Sequence, residues 1–189
     1  AFYCDTTNNQ LTYVGVDNAG GQSRFSHRSF AMNSDGTLTA DYAEVLVTTS
    51  GSTDYSPSIT EDSSGDLWVA MTTIQTVRYI EAYECTTSCG TGGNWVSRQN
   101  LDNPADSNFA VITPLASGNV AVTTGANVDG ISSFRTEVWT GSWSSFTLTT
   151  NTGYAPQQSG FWHIGGTLII GTRNSGPTIH FLSFVSSTW

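Results

Sequence analysis

A hairpin recurs four times along this chain, and the recurrence limits the fold more than any other feature. The copies are FYCDTTNNQLTYVGV from Phe2, SPSITEDSSGDLWVAM from Ser56, NFAVITPLASGNVAVTTG from Asn108 and SGFWHIGGTLIIGTR from Ser159. In each, an apolar-rich run meets small polar residues and a second apolar run comes next, the pattern of two strands joined by a tight turn. The turns, at Asn8-Asn9, Ser64-Gly65, Ser117-Gly118 and Gly165-Gly166, lie roughly fifty residues apart. A turn that repeats at a steady interval measures out a structural unit, whereas a catalytic loop has no reason to recur.

The segments after each hairpin repeat as well. SRFSHRSFAM, VRYIEAYECT, SFRTEVWTG and TIHFLSFVS read as third strands, rich in aromatic and β-branched residues. LTADYAEVLVTT, NWVSRQNL, SWSSFTLTT and the final STW read as fourth strands, the last cut short. Helical periodicity is nearly absent, and the Thr, Ser, Gly and Val content opposes helix. The expected fold is therefore all-β: a β-propeller of four-stranded blades in a single domain over 1-189, with units at about 1-55, 56-107, 108-157 and 158-189, the last incomplete. One blade cannot bury its own two faces, so it stacks on the next. A β-sandwich is the alternative, but it leaves four matching turns unexplained. An incomplete last unit exposes a strand edge, which invites self-association.

Charge narrows the partners. Six Arg, no Lys and fifteen acids give a formal net charge of −9, a surface that repels the phosphate backbone, so nucleic acid is not an expected partner. With 38% apolar residues the chain is not disordered in character. No apolar run approaches the roughly 20 residues of a membrane helix, so no transmembrane segment is expected. A Lys-free, Ser- and Thr-rich chain beginning on Ala1 fits an extracellular or cell-surface protein.

Cysteine points the same way. Cys85 and Cys89 enclose Thr86, Thr87 and Ser88, with Gly90 next, small residues that let the chain curl until the two thiols meet. A disulfide is expected there, implying an oxidising compartment, with Cys4 left over. A metal half-site is the rival, yet zinc sites show a second ligand pair nearby and the next His or Cys is His163. No metal or cofactor is expected. The acidic turn Asp62-Ser-Ser-Gly-Asp66 lacks the closing Glu of a calcium loop. Asp62 is expected to bind its own turn amides, with Gly65 at positive φ.

PSITEDSSGDLWVAM, with a strand ending in CTTSC and a Gly-rich turn into Trp95 after it, resembles the repeats of the sialidase-like, Asp-box-type β-propeller superfamily, found in secreted bacterial and archaeal proteins with Cys-x3-Cys loops. The resemblance implies a propeller and, for its enzymes, three Arg on a sugar carboxylate beside a Tyr–Glu pair. The Arg-Ile-Pro signature is absent, and Arg78 and Arg135 fall at matching places in successive third strands. No catalytic residue is assigned, and a non-catalytic role is expected.

The expected function is a binding module for a carbohydrate or a protein partner. Trp162 and His163, on the first strand of the fourth unit, and Arg173, at the end of its second, form the candidate ligand-binding set, since flat aromatic faces stack on sugar rings. Trp68, Trp95, Trp143 and Trp189 occupy repeated positions and are expected in the core between units. A structural subunit of an extracellular assembly and a sialidase-like glycoside hydrolase are the alternatives.

Overall fold

The computed structural model describes residues 1–19, 22–50, 55–74, 78–98, 101, 110–128, 131–149, 160–164, 167–173 and 179–184. Its strands form four antiparallel sheets, not the two of a sandwich. Sheet 1 holds β1 (Phe2–Asp5), β2 (Gln10–Ala19), β3 (Gln22–Met32), β4 (Leu38–Ala40) and β5 (Val45–Ser50). Sheet 2 holds β6 (Tyr55–Glu61), β7 (Leu67–Ile74), β8 (Arg78–Cys85) and β9 (Val96–Ser97). Sheet 3 holds β10 (Ala110–Pro114), β11 (Val120–Val128), β12 (Ile131–Trp139) and β13 (Trp143–Thr149), and sheet 4 holds β14 (Gly160–Ile164), β15 (Thr167–Arg173) and β16 (Ile179–Phe184). In every sheet the strands lie in chain order.

Two fourth strands depart from expectation. In sheet 1 the fourth strand is broken: β4 pairs with the Phe30–Met32 end of β3 and β5 with its Ser23–His27 end. Asp41 sits at the break, where its backbone N–H donates to Ser29 O at 3.0 Å and its carboxylate accepts from Ser29 Oγ at 2.9 Å. In sheet 2 the fourth strand is the short Val96–Ser97, which follows the disulfide loop. β6 is also irregular: its register with β7 shifts between Tyr55 and Ser58, across Pro57, whose missing N–H suits it to a bulge.

The sheets stack through their faces. Val69, Met71, Tyr83 and Cys85 of sheet 2 join Val14, Phe25, Val45 and Val47 of sheet 1 in one core cluster. The alternate residues Trp68, Ala70, Ile80 and Ala82 join Ala110, Ile112, Val120 and Val122 of sheet 3 in a second. Because successive side chains of a strand point to opposite faces, sheet 2 is apolar on both sides, and Trp68 to Met71 are all 0% exposed. The first strands line up as well: β6 lies against β1 on one side and β10 on the other, and β10 reaches β14.

The turn at Asp62 is built as its residues dictate. Asp62 Oδ1 accepts the backbone N–H groups of Ser64 at 2.8 Å and Asp66 at 3.1 Å, while Gly65 takes φ +88°. Oδ2 accepts the indole N–H of the fully buried Trp68 at 3.0 Å. One carboxylate thus closes the turn and satisfies a polar atom of the core. Asp5 plays the first of these parts in sheet 1, accepting from Thr7 N–H at 2.8 Å and from Asn8 Nδ2 at 2.6 Å. Sheet 3 has no Asp there; its turn closes through backbone bonds, Leu115 N–H to Asn119 O at 2.8 Å, with Ser117 and Gly118 both at positive φ.

Cys85 and Cys89 are joined as a disulfide with Cα atoms 5.8 Å apart, and Cys4 is free and exposed. No helix among the described residues is long and apolar enough to cross a membrane.

Asp62→Ala removes three hydrogen bonds to one charged group and leaves the Trp68 indole N–H buried without an acceptor. We expect a loss of about 3 kcal/mol in urea denaturation, with Asp62→Asn losing less. The Cys85→Ser/Cys89→Ser double variant opens a very short loop and costs about 2 kcal/mol in the same measurement.

Candidate functional site

The turns between first and second strands of sheets 1, 2 and 3 gather at one end of the stack. Gly118 N–H donates to Ser63 Oγ at 2.6 Å, joining the turn of sheet 3 to that of sheet 2, and Asp5 of sheet 1 lies close enough to Glu61 to act on its charge. Burial raises the Glu61 pKa first, with Asp5 and Asp62 adding repulsion. Asp66 is raised likewise, by burial and then by Asp62 and Glu84. The Asn8 side-chain hydrogen bond pulls Asp5 the other way. The described residues include no group of three or more metal-ligating side chains.

Two aromatic clusters occupy the seams. Between sheets 1 and 2, His27 is fully buried with its ring centroid 5.0 Å from Trp95 and 5.7 Å from Tyr42, whose hydroxyl lies 3.2 Å from His27 Nδ1. The disulfide loop caps this cluster: Cys89 O accepts from Trp95 Nε1 at 3.2 Å, and the Tyr42 ring lies so close over Gly90 that a Cβ there would meet it at 2.8 Å. Burial drives the His27 pKa down to about 4, against the smaller upward pull of the Cys89 backbone. Burial likewise pushes Tyr42 up to about 12.

Between sheets 2 and 3, Trp68, Trp139 and Trp143 meet with centroids 5.2 to 6.4 Å apart. Arg98 lies 5.3 Å over the Trp139 ring and donates from Nε to Glu84 Oε2 at 2.6 Å, while its backbone carbonyl accepts from Trp143 Nε1 at 2.8 Å. Trp68, Trp95 and Trp143 therefore sit in the seams as their repeated positions suggested; Trp189 lies outside the described residues. Trp139 was missed by sequence reasoning: it pairs with Trp143 across β12 and β13, but its register equivalent in sheet 2 is Cys85, so no repeated Trp marks it.

The backbone of sheet 4 places the candidate ligand-binding residues on two adjacent strands. Trp162 stands opposite Ile169 and His163 opposite Leu168, while Arg173 ends β15 opposite Ile179. Arg173 is four residues along β15 from the partner of Trp162, about 13 Å at strand spacing. The side chains of all three lie outside the described residues. Arg173 stands at the end of its sheet away from the first turn, as Arg78 does in sheet 2, where it pairs with Ile74. The register corrects one expectation: with Val120 equivalent to Leu67, Arg135 corresponds to Glu81, not to Arg78. Arg135 instead approaches Glu137 two residues along its own strand, at 3.3 Å.

No family model matches the sequence, and no curated protein matches it either. The structure resembles solved ones. A protein of unknown function from Dyadobacter fermentans gives a TM-score of 0.56 at 9% identity, over 98% of this chain and 69% of that one. An exo-β-1,3-galactanase from Phanerochaete chrysosporium, solved with β-1,3-galactotriose, gives 0.50 at 7% identity, over 90% of this chain and 46% of the enzyme. A β-fructofuranosidase from Bombyx mori gives 0.51 at 10% identity, over 96% of this chain and 44% of the enzyme. The chain thus spans less than half the length of each enzyme, and the likeness is one of fold.

His27 sets a pH dependence. Neutral in the fold and protonated more readily when unfolded, it leaves stability intact above about pH 6.5 and removes it as pH falls from 6.5 towards its folded value of about 4. The loss reaches about 3 kcal/mol. Urea denaturation at pH 7 and pH 4.5 should show it in the wild type and much less of it in His27→Leu, a comparison that cancels the opposing change from Glu61 and Asp66.

Proposed function

We propose that the four sheets are blades of a β-propeller, in units at about 1-55, 56-107, 108-157 and 158-189, and that the protein is a non-catalytic carbohydrate-binding module of the extracellular space. The likeness to two solved glycoside hydrolases, both propellers, carries the reading. The sialidase-like resemblance of the repeats fits within that broader kinship. The line of first strands β1, β6, β10 and β14, and the burial of sheet 2 on both faces, support the propeller. The disulfide supports an oxidising location.

Binding is favoured over hydrolysis by what the buried carboxylates do. Asp5 and Asp62 are held by their turns, and Glu84 by Arg98. Glu137 is met by Arg135. A glycosidase needs a pair of carboxyl groups facing one bond, one of them able to give up a proton, and carboxylates bonded into the framework are poorly placed for that. In this reading Trp162 stacks on a sugar ring, with His163 and Arg173 as polar contacts.

Isothermal titration with β-1,3-galactan and fructan oligosaccharides tests the proposal. Saturable binding that weakens about tenfold in Trp162→Ala is expected, the worth of one stacked ring. Release of reducing sugar from either substrate would overturn the non-catalytic reading, and absence of binding to any glycan on an array would overturn the carbohydrate one.

A further inference from the structure

The loop from Cys85 to Trp95 belongs to sheet 2 by sequence yet lies on sheet 1. A Cβ at Gly90 would meet the Tyr42 ring at 2.8 Å, and one at Gly92 would meet the Leu46 carbonyl at 2.9 Å, both on the fourth-strand side of sheet 1. The Cys89 carbonyl accepts from Trp95 Nε1 at 3.2 Å, and the Cys89 backbone is hydrogen-bonded to the imidazole of the fully buried His27 as well. Little holds the loop in that position. From Thr86 to Asn94 the chain reads TTSCGTGGN, in which Cys89 alone offers an apolar side chain. That side chain packs against the core between sheets 1 and 2, whereas Thr86, Thr87 and Ser88 are exposed. Gly90, Gly92 and Gly93 give the loop much backbone freedom to lose when it is ordered. The disulfide to Cys85 is therefore what fastens the loop over His27.

We propose that this loop is a redox-sensitive latch, opened by a dithiol reductant, that controls access to His27 at the fourth-strand edge of the seam between sheets 1 and 2. The inference rests on the disulfide and its loop and not on the carbohydrate reading. Cys85 is 1% exposed and Cys89 half-buried, so the thiolate of the reductant reaches Cys89 Sγ. A bond forms between the reductant's sulfur and Cys89 Sγ while the Cys85–Cys89 bond breaks, and Cys85 Sγ leaves as a thiolate that takes up a proton. The second thiol of the reductant then attacks its own sulfur in that mixed disulfide, and Cys89 leaves and is protonated in turn. The reductant ends as a disulfide and the protein gains two thiols, a transfer of two electrons and two protons. Once Cys89 is free of β8, the glycines regain their freedom, the carbonyl withdraws from His27 and Trp95, and Tyr42 loses the backbone it lies against. Oxidising surroundings keep the latch closed.

Carbethoxylation of His27 at pH 7, followed by peptide mass spectrometry, tests the latch. The protein is treated with dithiothreitol without denaturant, alkylated with iodoacetamide and freed of both before the imidazole reagent is added. Reduction should proceed in the folded protein, and the His27 rate should then rise about ten- to thirtyfold, the factor by which losing so short a closure shifts the opening. The Cys85→Ser/Cys89→Ser variant should show the same rise without reduction, and both forms should keep the circular dichroism of the untreated protein. Asp62→Ala is the control: it weakens the fold at the other seam and leaves the latch shut, so its His27 should react at the wild-type rate. A disulfide that resists dithiothreitol in the folded protein overturns the proposal. So does a His27 rate unmoved by loss of the bond. A rise in Asp62→Ala as large as in the double variant, or a reduced protein that has lost its β-sheet signal, overturns it too, because His27 is then reached by unfolding of the whole chain.

Discussion

Sheet 2 of this protein cannot stand by itself, and that constraint organises the rest. β7 carries Trp68, Val69, Ala70 and Met71 in unbroken succession, so one face of its sheet offers Trp and Ala and the other Val and Met. Water on either side would expose a core's worth of apolar surface. The chain answers by laying sheets face to face, with the first strands side by side.

This constraint was legible because it leaves two marks in the sequence. One is the steady spacing of the turns. The other is the absence of polar alternation in second strands such as Val120-Ala-Val122, which a half-exposed sheet would show. The turn chemistry was legible too, since Asp62 and Gly65 have few other uses in that setting. What escaped were matters of tertiary neighbourhood. The acceptance of the Trp68 indole by Asp62 depends on both lying on the side of sheet 2 that meets sheet 3, and the break between β4 and β5 depends on Ser29 reaching Asp41. The misalignment of Arg78 with Arg135 arose from matching strands by composition, when hydrogen-bond register sets equivalence.

The polar groups of the seams share a theme. Asp62, Glu84, His27 and the Trp68, Trp95 and Trp143 indole N–H groups are buried or half-buried, and each meets a partner from its own turn, a neighbouring strand or the adjoining sheet. Aromatic residues supply the contact area of the seams and the polar partners fix how the rings sit, so a seam is specified by direction as well as by volume.

The bond from Gly118 N–H to Ser63 Oγ gives the seam between sheets 2 and 3 a polarity. It clasps the two sheets at their turn end, as the spine of a book holds its leaves. At the opposite end, the fore-edge of the pages, lie the far ends of the second and third strands, where Ile74 pairs with Arg78 and Val128 with Ile131. Any parting of these two sheets therefore opens from the fore-edge.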